Sequence, residues 1–113
     1  MPTIDFSVVP YIQWHGFSSW ESTVILGMNG DYYNFRANWN SRDNSWYISV
    51  YTLDDVAIIE GRKLIIRVNL LANTIKDNLP KCILYADTDD PNVNSITYDN
   101  MVNGEVKLYH ISR

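Results

Sequence analysis

Two arms of alternating aromatic and polar residues, Tyr32–Trp39 and Trp46–Tyr51, constrain this chain more than any other stretch. In the first arm Tyr33, Phe35, Ala37 and Trp39 alternate with Tyr32, Asn34, Arg36 and Asn38, the period of two that sends one set to each face of a strand. In the second, Trp46, Ile48 and Val50 alternate with Tyr47, Ser49 and Tyr51. Between them, Asn40 to Ser45 is made of turn-forming residues, with Asn44 the expected left-handed position. The pattern predicts a β-hairpin. If Trp39 lies opposite Trp46, then Ala37 faces Ile48 and Phe35 faces Val50, so both apolar sets share one side; a slip of one residue destroys that agreement.

A chain of 113 residues suits one domain, and a single β domain over 1–113 is expected. Four Trp and eight Tyr favour strands over helices. The net charge of -4 and scattered basic residues argue against nucleic-acid binding. Arg62, Lys63 and Arg67 could cluster, but neighbouring strand residues point to opposite faces. One cysteine, Cys82, excludes an internal disulfide and a multi-thiolate zinc site, and its apolar setting reads as a buried thiol. No apolar run is long enough to span a bilayer, so the chain reads as a soluble protein made in the cytoplasm.

In chain order, Ile4, Phe6 and Val8 suggest a first strand between Pro2 and Pro10. Tyr11 to Trp20 carries aromatics without a clean period and reads as irregular, with room for one short strand. Ser22–Gly27 is a strand leading into Asn29-Gly30, a strong hairpin turn. A turn at Leu53–Val56 returns the chain into Ala57–Ile59, completing a four-stranded meander. Gly61 marks a bulge or bend, and Lys63–Val68 reads as a further strand. The spacing of Leu70, Leu71, Thr74, Ile75 and Asn78 suits a short helix near 69–79, stopped by Pro80. Strands are expected at Lys81–Ala86, Ser95–Tyr98 and Glu105–Ile111, with Asp99–Gly104 a loop. The whole predicts an all-β fold, a small antiparallel sandwich or partly open barrel built on a meander.

Chemistry is scarce. The acidic loop Asp87-Thr88-Asp89-Asp90 has closely spaced carboxylates, but it lacks the glycine and glutamate an EF-hand requires and reads as a solvated turn. His15 and His110 stand at opposite ends with no evident third ligand. There is no nucleophile elbow around a serine, no motif around Cys82 and no phosphate loop. No catalytic, cofactor-binding or metal-binding residue is assigned, and a non-enzymatic role is expected. Trp39 and Trp46 could stack a sugar or base, but their register with aliphatic residues favours the core. The opposite face, with Arg36, Asn38, Tyr47 and Tyr51, has the mixture that suits a protein interface, and Trp14, Trp20, Arg42 and Asp43 complete the candidate contact set.

The stretch from about Thr23 to Leu71 carries Gly30, Tyr33-x-Phe35-Arg36-x-x-Trp39-Asn40-Ser41-Arg42-Asp43-x-x-Trp46-Tyr47, then Asp54-Asp55, Ile58-Ile59-x-Gly61-x-x-Leu64 and Leu70-Leu71. With Leu84-Tyr85-Ala86-Asp87 and Asp90-Pro91 further on, it resembles the phage baseplate plug family of contractile-tailed bacteriophages. Residues 10–21 are longer than that pattern expects, and Asn44 stands where such hairpins often carry Gly. The resemblance implies a structural component of the virion tail baseplate, synthesised in the host cytoplasm, that plugs or lines the distal tail tube. Its implied partners are the tube, the hub or spike, the tape measure and further copies of itself. The competing expectation is a stand-alone carbohydrate-binding β module using Trp14, Trp20, Trp39 or Trp46 as platforms.

Overall fold

The computed structural model describes residues 10–26, 31–72, 74, 80 and 82–112. Among them the elements run β1 (Tyr11–Ile12), β2 (Ser19–Leu26), β3 (Asp31–Asn40), β4 (Ser45–Tyr51), β5 (Ala57–Lys63), β6 (Cys82–Asp87), α1 (Tyr98–Val102) and β7 (Lys107–Ser112). They form two antiparallel sheets, of order β2-β3-β4-β5 and β1-β7-β6. Buried residues of both sheets join one core, so the fold is a sandwich rather than a closed barrel.

The meander follows the expected register. Trp39 pairs with Trp46, Ala37 with Ile48 and Phe35 with Val50. Asn44 takes φ of 53°, the left-handed conformation that lets the polar break close in few residues. The β4–β5 turn closes through the Thr52 N–H to the Val56 carbonyl at 2.9 Å and the Asp55 N–H to the Thr52 carbonyl at 3.0 Å, with Asp55 also at positive φ. At Gly61, φ is 55° and its N–H donates to Ser49 Oγ at 2.8 Å. The β4–β5 register shifts on either side of Val50, so the expected irregularity is a real break in the ladder.

Several expectations change. Residues 57–59 and 63–68 are not separate strands: β5 runs through Gly61 to Lys63, after which the chain crosses to the other sheet. There it makes two isolated bridges, Ile66 parallel to Ala86 and Asn69 antiparallel to Tyr85. Arg62 anchors the crossing segment by donating to the carbonyls of Leu70 and Ala72 and to Thr74 Oγ1. Residues 69–72, expected to begin a helix, form a bridge and turns, while 73 and 75–79 lie outside the described residues. The helix is instead α1, where a strand end and a loop were expected. A capping box starts it: the Asn100 N–H donates to Thr97 Oγ1 at 3.1 Å and the Thr97 N–H to Asn100 Oδ1 at 2.8 Å. The expected strand over Ile4–Val8 and the Asn29-Gly30 turn fall outside the described residues.

The core is aromatic. Trp46 is fully buried, stacked on Tyr98 with centroids 5.4 Å apart and edge-to-face with Trp14 and Trp39. Trp14 also meets Trp20 edge-to-face at 5.0 Å, and Trp20 tilts over Phe35. Such contacts add about 0.5–1.5 kcal/mol each beyond the area they bury. The indole N–H groups of Trp14, Trp20 and Trp46 are buried without an N or O acceptor.

Candidate protein interface

An antiparallel sheet with one face on the core leaves the other to solvent. The pairing aligns that outer face in rows: Ser19, Asn38, Tyr47 and Lys63; Glu21, Arg36 and Ser49; Thr23, Asn34, Tyr51 and Ala57; and Ile25 with Tyr32. Four of the expected contact residues, Arg36, Asn38, Tyr47 and Tyr51, therefore share one surface. Arg36 is its centre, with Nε 2.8 Å from Glu21 Oε2 and its guanidinium 4.5 Å above the Tyr51 ring. Both partners of this ion pair are well exposed, so it orients the guanidinium and adds little stability. Ser19 Oγ donates to Asn38 Oδ1 at 2.7 Å and Thr23 Oγ1 to Asn34 Oδ1 at 3.1 Å, which holds the polar rows in place.

Arg42 and Asp43 lie in the β3–β4 turn, at one end of this face. Asn40 Oδ1 accepts the Arg42 N–H at 2.9 Å, an Asx turn that shapes the loop. The Tyr47 hydroxyl donates to the Asp43 carboxylate, and that bond raises the phenol above its ordinary pKa. The opposite end of the sheet is more apolar: Ile25 is 45% exposed and Tyr32 53%, and Leu53 and Val56 stand exposed in the β4–β5 turn. Register places that turn beyond the Asn34–Tyr51 pair, on the side of Tyr32. The surface thus runs from polar to apolar along its strands.

Trp14 and Trp20 do not join it. Trp20 is only 9% exposed and belongs to the core, and the partly buried Trp14 packs against that core beside Trp20, Phe35 and Trp46. A sugar could stack on Trp20 or Trp46 only by unpacking that core, and Trp39 is partly covered by Trp46 and Tyr98. Conversely, Glu21, Ile25 and Tyr32 were not among the expected contact residues. The alternation of Glu21, Thr23 and Ile25 in the sequence was the signal that could have placed β2 on the same face.

Elsewhere, a cavity of about 150 Å³ opens between β1, β7 and α1, lined by Tyr11, Trp14, Met101, Val106 and Leu108 among others. Its one charged lining residue, Lys107, sits 4.6 Å over the Tyr11 ring, so no acid and base converge there. In the acidic loop Asp87 faces inward, 3.0 Å from Arg67 Nε and accepting the Thr88 N–H at 2.8 Å. Among the described residues no three His, Cys, Asp or Glu side chains converge as metal ligands would. No described helix is long and apolar enough to cross a membrane. Cys82 is buried, and His15 packs over Trp20 with Nε2 3.1 Å from Ser22 Oγ.

A family model described as cyanophage baseplate Pam3 plug gp18 matches residues 19–113, beginning at the first residue of β2. No curated protein matches the chain. β1 and Trp14 thus lie outside the matched region although they complete the core.

Proposed function

The chain belongs to the cyanophage baseplate Pam3 plug gp18 family, and we propose that it plugs or lines the distal end of a contractile tail tube and joins it to the hub. A structural place in the virion tail baseplate follows from the family. The outer face of the β2–β5 sheet supports the finer reading, because Arg36, Asn38, Tyr47 and Tyr51 form an ordered polar-aromatic surface that the chain's own core leaves uncovered. Tyrosine brings large contact area at low entropic cost and arginine brings directional hydrogen bonds, as interfaces require. On this reading the protein works through contacts with tube, hub or spike and tape-measure proteins and performs no catalysis. Several copies are arranged by the tail's symmetry, and the chain is made in the host cytoplasm before assembly.

Cryo-electron microscopy of the tail that carries this chain tests the reading. Density for the sandwich is expected where tube meets hub, with the β2–β5 face turned to a neighbour, and its absence from the tail would overturn the proposal. Arg36→Ala with Tyr51→Ala should reduce incorporation into the tail at least tenfold while leaving the melting temperature of the isolated chain nearly unchanged, since both side chains lie on the open face.

A further inference from the structure

A sheet edge exposes unpaired backbone N–H and C=O groups, and proteins blunt such edges with bulges, charges, proline or covering segments. Among the described residues, three of the four edges are treated this way. β5 has shifted register, a positive-φ Gly61 and the run Glu60, Arg62, Lys63. β6 is covered by the crossing segment, with the Arg67 N–H on the Ala86 carbonyl and the Leu70 N–H on the Leu84 carbonyl, both at 2.8 Å. β1 is two residues long and follows Pro10. The fourth, β2, is eight residues of SWESTVIL, without Pro, Gly, Lys or Arg. Among the described residues β3 is its only strand neighbour. Its one charge, Glu21, is turned to the outer face and paired with Arg36.

We infer that β2 is the edge at which a second copy of this chain adds, β2 against β2 and antiparallel, joining two four-stranded sheets into one. Only registers that pair residues of like parity keep both outer faces on one side. Centring the pair on Ser22 puts Glu21 opposite Thr23 of the other copy, Trp20 opposite Val24 and Ser19 opposite Ile25. Centring it on Glu21 would oppose two carboxylates, and centring it on Thr23 would set each carboxylate against Ile25, so the Ser22 register is favoured. The net charge of -4 is carried mostly by residues outside β2, whose one acidic group, Glu21, faces Thr23 and not a second carboxylate in this register. In the dimer the half-covered Val24 gains Trp20 of the second copy as a neighbour, and the two polar-aromatic faces become continuous.

Sedimentation velocity of the full chain over a wide concentration range tests this, with a reversible species of twice the chain mass expected. Thr23→Glu sets a carboxylate against Glu21 of the other copy at two symmetric places and should weaken the dimer roughly tenfold, whereas Thr23→Lys should tighten it by a similar factor. Unchanged melting of both variants under monomeric conditions confirms that the fold is intact. A monomer at every concentration, or a dimer indifferent to both substitutions, would overturn the inference. So would a chain that dimerises only after residues 1–9 are removed, which would give the edge to its own N-terminal segment.

Discussion

In the four-stranded sheet every strand pairs with its neighbour in the chain, whereas the three-stranded sheet sets Tyr11–Ile12 from one end beside Lys107–Ser112 from the other. Among the described residues the first is closed by the β3–β4 and β4–β5 turns and by the Trp39–Trp46 cross-strand pair. The second depends on distant pieces: two pairs to β1, bridges from the crossing segment to β6, and an ion pair between Arg67 and Asp87. Local hairpins close at small entropic cost, while non-local pairing is stabilised only after long loops have closed. The meander is therefore the half built from local pairings, and the smaller sheet the half built from distant ones, over one shared core.

The sharpest way to break that comparison is Trp46→Ala. Trp46 is fully buried and touches Trp14, Trp39 and Tyr98, so its loss should cost about 3–5 kcal/mol and melt both sheets together. Chemical denaturation followed by circular dichroism checks it, and survival of the meander as a separate transition would show that the halves are less coupled than their shared core implies. Next comes Arg67→Ala. Arg67 holds φ of 60°, where a side chain is strained, and its guanidinium neutralises the nearly buried Asp87. Removal should cost about 2 kcal/mol, tempered because the guanidinium is partly exposed. Hydrogen exchange is expected to accelerate in β6 and β7 far more than in β3 and β4, and uniform acceleration would erase the distinction between the sheets.

The smallest effect concerns pH. Burial lowers the pKa of His110 on β7 below its ordinary 6.5. Between the lowered native value and 6.5 the unfolded chain binds more protons, so stability rises with pH across that window. It is fully present above 6.5 and is lost as pH falls through the native value. For a ring still partly in contact with water the change should stay below about 1 kcal/mol. Thermal melts of the protein and of His110→Gln against pH should diverge in that window, and parallel curves would remove His110 from the account.

The same contrast explains what was legible in the sequence. Period-two alternation and turn chemistry are local signals, so the Trp39–Trp46 register, the left-handed Asn44 and the Gly61 break could be read directly. So could the shared face of Arg36, Asn38, Tyr47 and Tyr51, because alternation alone sorts side chains between faces. The pairing of β7 with both β1 and β6 leaves no local trace. Helix α1 escaped because five residues carry too little periodicity, and its capping box uses Asn100 where Glu or Gln is the usual sign. Trp14 and Trp20 looked like contact residues because Tyr11 to Trp20 has no clean period; only the meeting of the two sheets turns them inward.

The chain's four tryptophans form a linked series, Trp20 to Trp14 to Trp46 to Trp39, with successive ring centroids 5.0, 5.0 and 5.5 Å apart. At such separations indole transitions couple and excitation passes between rings faster than it is emitted. The native protein should therefore show an exciton couplet in its circular dichroism and depolarised fluorescence. Trp14 is the link between Trp20 and the Trp46–Trp39 pair, so a partner that pries residues 11–18 from the sheets would change both signals without a label.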